Sequence, residues 1–309
     1  MWRLIVAILA FVTMGAAAYA AHPGPGRIER HADFASRFVA PRHVEVWLPP
    51  GYDGAKKRYA VLYMHDGQNL FHLEDSNFRK VWAADAHVAR LMAAARIRDT
   101  IVVGMWSTPA RYREYAPADL VARLPESLRA QWAAAAGGET LSDAYLRFVV
   151  EEVKPFVDAR YRTRPGREST FIMGSSMGGL ISFYALQRYP DVFAGAGCVS
   201  THWPIGRPDA ADWSAATGRD AIMAATRAYI AQGAVSPRRH RIYFDHGDAT
   251  LDAFYAPFQT NVDAAMAAKG FKAGRNWTSR VFPGAEHEEN AWNARLDEPL
   301  LFLLGASHE

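Results

Sequence analysis

Residues 170–184 read TFIMGSSMGGLISFY, an apolar run joined to an apolar helical pattern through Gly174-Ser175-Ser176-Met177-Gly178. A chain that passes from strand to helix through G-x-S-x-G has few folds open to it, because the turn is sharp and both flanking elements are apolar on every side. The strand must therefore lie inside a sheet, and the helix must pack back onto it. Ser176 falls at the tip of this turn in a strained conformation. Gly174 and Gly178 are expected where strand and helix pass close together, and Gly178-Gly179 opens the helix. The turn lifts the Ser176 hydroxyl clear of the sheet. It also leaves the Met177 N–H at a helix N-terminus, where it can donate to a developing oxyanion.

The rest of the chain supplies the sheet. Residues 59–64 (YAVLYM) and 101–105 are apolar on both faces, as central parallel strands are, with a helical pattern over 79–95 between them. Strand, helix, strand implies right-handed crossovers and a mostly parallel sheet with helices on both faces. Further strands are expected at 193–200, 241–244 and 279–282, and further helices at 141–161, 222–232, 258–269 and 292–304. Residues 34–50 read as strands, and the alternation over 43–48 suggests a half-exposed antiparallel edge. Residues 22–30 are a Pro/Gly-rich lead-in expected to be mobile. The irregular stretch 107–138, which follows a strand end, is where α/β enzymes place binding loops.

With 309 residues, half of them hydrophobic, one large core suffices, and no boundary divides residues 21–309 into further domains. The first 20 residues have the form of a signal peptide: Trp2-Arg3, an apolar run too short for a bilayer, and Ala18-Tyr19-Ala20 as a cleavage site. The expectation is an exported, periplasmic or secreted protein with no stable membrane insertion after cleavage. The lone Cys198 excludes an intrachain disulfide and reads as a buried thiol. The 35 basic and 32 acidic residues give a net charge of +3. No long basic run or nucleic-acid motif accompanies them, so the charge argues only weakly for a polyanion and not for nucleic acid.

Ligands of an open parallel sheet bind at the C-terminal strand ends. The polar strand ends here are His65–Asn69, Ser176, the 245–252 loop and the 286–290 loop, in the order Ser, Asp, His of the α/β-hydrolases. A serine hydroxyl needs a base, and the base needs an orienting acid. His287 follows the last strand and is the expected base. Asp252 is the preferred acid because the loop runs beyond the strand before the acid appears; Asp248 is the alternative. The second oxyanion donor is expected from Gly67 or Gln68, while His65 shapes that loop. No metal motif and no dinucleotide fingerprint appears, so neither metal nor cofactor is expected: His287-Glu288-Glu289 lacks the second histidine of a zinc site.

These pieces together resemble the esterase D and feruloyl-esterase-like branch of the α/β-hydrolases. The matching segments are Tyr63-Met64-His65-Asp66-Gly67-Gln68-Asn69-Leu70-Phe71, Arg113-Glu114-Tyr115, Gly174 to Gly179, Phe244-Asp245-His246-Gly247 through Thr250-Leu251-Asp252, and Gly284-Ala285-Glu286-His287 through Trp292. The resemblance runs from about residue 44 to 304. It implies a serine hydrolase with Ser176 and His287 in their family roles, and Thr250-Leu251-Asp252 supports Asp252 as the acid. Gly247-Asp248 stands where relatives often have Gly-Thr, which keeps Asp248 open. The family includes feruloyl, acetyl-xylan and siderophore esterases, S-formylglutathione hydrolases and mycolyltransferases, so the fold alone selects no substrate. A small-molecule or polysaccharide-linked ester is expected, with His202 and Trp203 as candidate substrate contacts beside Tyr112, Arg113 and Tyr115. An acyltransferase with the same triad, or a binding protein on the hydrolase fold, are the rival readings.

Overall fold

A computed structural model describes residues 25–206 and 216–305 of the chain. The segment read as a signal peptide, and most of the loop after Trp203, lie outside the described residues. The order of elements is β1 (Arg27–Phe34), β2 (Arg42–Leu48), β3 (Ala60–His65), α1 (Ala84–Ala93), β4 (Thr100–Met105), α2 (Arg111–Tyr115), α3 (Ala118–Val121), α4 (Glu126–Ala136), α5 (Ser142–Arg147), α6 (Lys154–Arg160), β5 (Thr170–Ser175), α7 (Met177–Arg188), β6 (Gly195–Val199), α8 (Ala216–Gln232), β7 (Arg241–Gly247), α9 (Ala256–Ala268), β8 (Trp277–Phe282), α10 (Glu289–Arg295) and α11 (Asp297–Leu304).

The strands form one sheet in the order β1-β2-β4-β3-β5-β6-β7-β8. β1, β2 and β4 pair antiparallel, and every later pair is parallel. The central parallel strands are enclosed on both faces: every residue of β3, β4 and β5 is buried. Each face of the sheet carries a separate apolar cluster. One gathers Ile172, Leu180 and Phe183 of the β5–α7 unit with Phe148 and Tyr229; the other gathers Met173, Phe171, Trp82, Leu300 and Leu303 under α1 and α11. This is the α/β-hydrolase fold. Among the described residues no helix is long and apolar enough to cross a membrane. Cys198 is buried in β6.

Three local expectations change. The lead-in is not all loop, because residues 27–30 already belong to β1. β2 is not an edge: it is antiparallel, but β1 covers it, and its alternating polar residue Glu45 is buried, accepting from Arg30 Nε at 2.7 Å and Trp106 Nε1 at 3.1 Å. The helix of residues 141–161 contains a π-helical segment, Phe148–Val153, between α5 and α6. That extra residue in the turn lets Phe148, Val149 and Val153 all face the core.

Candidate active site

Ser176 is the residue between β5 and α7, with φ 58° and ψ −122°. A non-glycine residue in that region costs about 1–3 kcal/mol and persists only where its surroundings hold it. Here the Ser176 N–H donates to Val199 O at 2.9 Å, and the Ser176 carbonyl accepts from Gly179 N–H and His202 N–H. The neighbouring strand end is also strained, with Ser200 at φ 39°. A Cβ on Gly174 would stand 2.9 Å from the Gly178 carbonyl carbon, so strand and helix do pass as close as the glycines imply. Met177 begins α7, so its N–H has no acceptor within the helix.

His287 lies in the loop after β8 and shares a cleft with Ser176. Its Nδ1 is 2.6 Å from Asp252 Oδ1. A carboxylate only accepts, so Nδ1 carries the proton and Nε2 is left as a base. The ring stands nearly perpendicular to both Trp292 and Tyr255, with centroids 5.1 and 5.6 Å away, and the His287 N–H donates to Thr250 Oγ1 at 2.8 Å. Its orientation is thereby fixed before any substrate arrives.

Asp252 sits in a 3₁₀ turn after β7 and is 1% exposed. Its second oxygen accepts from Ser200 Oγ at 2.6 Å and Gly247 N–H at 2.6 Å. Burial pushes this carboxyl up, but the bonds from His287, Ser200 and Gly247 outweigh it and hold it below the usual carboxylate range. Asp248 is elsewhere: its carboxylate accepts from Gly284 N–H at 2.5 Å and closes the turn before His287. Of the two candidate acids, only Asp252 bonds the histidine.

Behind Asp252 lies a buried network that sequence reasoning missed. Ser200 Oγ accepts from Trp292 Nε1 at 3.1 Å and Arg295 Nη2 at 2.7 Å, and Arg295 also pairs with the buried Asp245 at 3.2 Å. The signal was available in part: Trp292 and Arg295 are three apart, so one helix presents both to the same face. Arg295→Leu should destabilise the protein by about 3–5 kcal/mol, because it strands Asp245 as an unpaired buried charge. Urea unfolding of the variant beside the wild-type chain measures this.

The expected substrate contacts are placed differently. Trp203 is 1% exposed, donates to Gln259 Oε1 at 3.1 Å and packs on Phe183 and Phe244, so it belongs to the core. His202 is buried behind the nucleophile. Its Nε2 donates to Gly206 O and its Nδ1 accepts from Tyr255 Oη, both at 2.6 Å, and burial lowers its pKa to about 3. Tyr112 and Trp132 stack and both donate to Ile205 O, Arg113 donates to Glu139 O, and Tyr115 is fully buried. These aromatics and Arg113 tie the excursion down. His65 likewise bonds Tyr145 Oη at 2.8 Å beneath its loop.

The cleft, about 430 Å³, draws its walls from other segments. Asp66, Asn69, Phe78, Lys80 and Trp82 come from the stretch after β3, and Glu288, Glu289 and Trp292 from the stretch after β8. Of residues 107–138 only Ser107 and Arg111 reach it. The wall is partly aromatic, with Trp82 and Trp292 centroids 5.5 Å apart and Phe78 exposed. It is also charged: Arg111 grips Asp66 through two bonds of 2.7 Å, and Lys80 pairs with Glu288 at 2.9 Å. Glu289, accepting from Asn69 Nδ2 at 3.0 Å, is pushed up by burial and by the nearby Asp66 and Glu288. Gly67 and Gln68, the expected oxyanion-loop residues, form a 3₁₀ turn beside this wall. Gly67 lies against Gly104 and Trp106, and the Gln68 side chain is bound to Ser107.

A family model described as Putative esterase matches residues 35–303, nearly the whole described chain. The chain belongs to that family. It is a carboxylic ester hydrolase on the α/β-hydrolase fold, and solved structures agree on the fold. A ferulic acid esterase superposes with TM-score 0.63 at 22% identity, over 91% of this chain and 98% of that one. An IroE-like serine hydrolase from Shewanella oneidensis gives TM-score 0.58 at 17% identity, over 89% and 78%. The enterobactin esterase of Shigella flexneri gives 0.60 at 16%, over 91% of this chain but 60% of that one. Among curated proteins, the uncharacterized protein YbbA of Bacillus subtilis is 24% identical over 173 residues, 52% of this esterase and 58% of the relative. The match thus spans little more than half of that relative's length.

Proposed function

We propose that this esterase works through a Ser-Asp-His triad: Ser176 as nucleophile, His287 as base and acid, and Asp252 as the group that orients the histidine. The observation that carries the reading is the 2.6 Å bond from His287 to a buried Asp252, with Ser176 on a strained elbow in the same cleft. Ser176 Oγ attacks the ester carbonyl as its proton passes to His287 Nε2. The resulting oxyanion is held by the Met177 N–H and the backbone N–H of Gly67 or Gln68. His287 then protonates the leaving alcohol. Water, deprotonated by the same nitrogen, releases the acid and restores Ser176.

The substrate class follows from the walls. The aromatic Trp82, Trp292 and Phe78, together with the ion pairs Arg111–Asp66 and Lys80–Glu288, suit an ester whose acyl part is an aromatic ring with polar, hydrogen-bonding substituents. Hydroxycinnamoyl esters and catechol-bearing siderophore esters both have that character, in keeping with the names of the ferulic acid and enterobactin esterases that share the fold. We assign the chain to an exported role on the strength of residues 1–20.

Steady-state hydrolysis tests the reading. Methyl ferulate and p-nitrophenyl acetate are turned over in parallel, with and without an added acceptor alcohol. Turnover to free acid with kcat/KM higher for the aromatic acyl group is expected. Transfer to the alcohol in preference to water would instead identify an acyltransferase.

A further inference from the structure

The catalytic end of the sheet is the C-terminal end of its parallel strands. The opposite end has a charge pattern that the linear sequence conceals. Basic residues stand just before five of the six parallel strands, β6 excepted: Lys56-Lys57-Arg58 before β3, with Lys57 paired to Asp99 at 2.6 Å, Arg96 and Arg98 before β4, Arg167 before β5, Arg238-Arg239 before β7 and Lys272 with Arg275 before β8. Each group is short. Because β3 to β8 run parallel, the topology brings all of them to one edge. From β4 to β8 this edge spans five interstrand spacings, about 24 Å.

At the β7–β8 end the edge is hollowed into a basin of about 720 Å³ lined by Arg238, Arg239, Arg241, Lys272 and Arg275. Its charge is poorly compensated. Arg239 pairs with Asp191, but no carboxylate bonds the side chains of Arg238, Arg241, Lys272 or Arg275 among the described residues. The Arg241 Nε–H is buried without an acceptor, and its guanidinium rests on the Phe302 ring at 4.9 Å. Burial lowers the pKa of Arg241, and burial together with the Arg241 and Arg164 charges lowers that of Arg98. Cations crowded together in this way repel one another. A bound anion would relieve the repulsion and give the Arg241 Nε–H its acceptor.

We propose that this basin and edge bind an acidic polysaccharide, one carrying carboxylate or sulfate groups along an extended chain. The length of the cationic edge favours a polymer over a single small anion. Single-stranded nucleic acid binds through exposed aromatics on which bases stack, and the basin has none. A bilayer surface calls for exposed apolar groups to insert. The exposed large hydrophobic residues of the described chain are Phe78, Phe254 and Val281, and none lines the basin. The site is separate from the cleft and does not depend on the triad assignment. It would hold the esterase on a charged glycan while Ser176 acts on esters within reach.

The test uses the full mature chain and fluorescent polygalacturonate oligomers, titrated by anisotropy at low salt. Neutral dextran, single-stranded DNA and phosphatidylglycerol vesicles are run in parallel. The triple variant Arg238→Ser, Lys272→Ser, Arg275→Ser removes exposed side chains without bonded partners, so its thermal unfolding and its turnover of p-nitrophenyl acetate should match the wild-type chain. Binding of the oligomer is expected to be salt-sensitive, absent for dextran, and at least about tenfold weaker in the variant. Equal binding by variant and wild type, or no binding by either, would overturn the proposal. Tighter binding to DNA or vesicles than to the oligomer would also overturn it, by assigning the edge to another class of partner.

Discussion

Replacing Ser176 with alanine is expected to lower kcat for p-nitrophenyl butyrate by about 10⁵- to 10⁶-fold, or roughly 7–8 kcal/mol of transition-state stabilisation. The alanine variant keeps the donors at the start of α7 and the His287–Asp252 pair, so some hydrolysis above the buffer rate should persist. It loses the acyl-enzyme altogether. KM should change little, since the hydroxyl bonds the substrate covalently only after binding. Folding should be unaffected or slightly improved in the denaturant midpoint, because the strained φ of 58° is a property of the turn, and alanine meets the same strain with one fewer polar atom to satisfy.

The second large effect is expected at Asp252. Asp252→Asn is close to isosteric, but it can present an N–H₂ where His287 needs an acceptor. That turns the imidazole to the wrong tautomer and leaves the forming imidazolium without its counter-charge. A fall in kcat of about 10⁴-fold follows, some 5–6 kcal/mol. Asp248→Asn serves as the control. It keeps an oxygen for the Gly284 N–H, and Asp248 makes no bond to His287, so its cost should stay below about tenfold, the scale of one weakened hydrogen bond. Initial rates for the two variants, measured beside each other at neutral pH, separate the acids that the sequence left open.

What the sequence made legible was the chemistry tied to local backbone demands. The G-x-S-x-G turn leaves no room for a side chain at Gly174, where a Cβ would stand 2.9 Å from the Gly178 carbonyl carbon, and the polar loops after the parallel strands mark the working end of the sheet. That was enough to bring forward Ser176, Asp252 and His287, of which the last two are hydrogen-bonded and Ser176 shares a cleft with His287. What stayed hidden depends on long-range pairing. Glu45 made β2 look half-exposed, because alternation cannot reveal that Arg30 and Trp106 will bond a buried carboxylate. His202-Trp203 looked like a substrate contact because aromatics after a strand end are ambiguous; the core between Phe183 and Phe244 claims the tryptophan. The aromatic and charged residues that do line the cleft, among them Phe78, Lys80, Trp82 and Arg111, come from stretches with no motif of their own. The Ser200–Arg295–Asp245 network also requires three distant elements to meet. The cationic edge was invisible for the same reason, since its groups are short and scattered until parallel strands align them.

The triad assignment is tested most directly by covalent labelling of the folded protein with a fluorophosphonate, read by intact mass and by mapping the modified peptide. The account predicts one adduct per chain, on Ser176, formed rapidly in the wild-type protein, much more slowly in Asp252→Asn, and not at all in Ser176→Ala. An adduct on another residue, or a folded wild-type chain that remains unlabelled while hydrolysing esters, would contradict it.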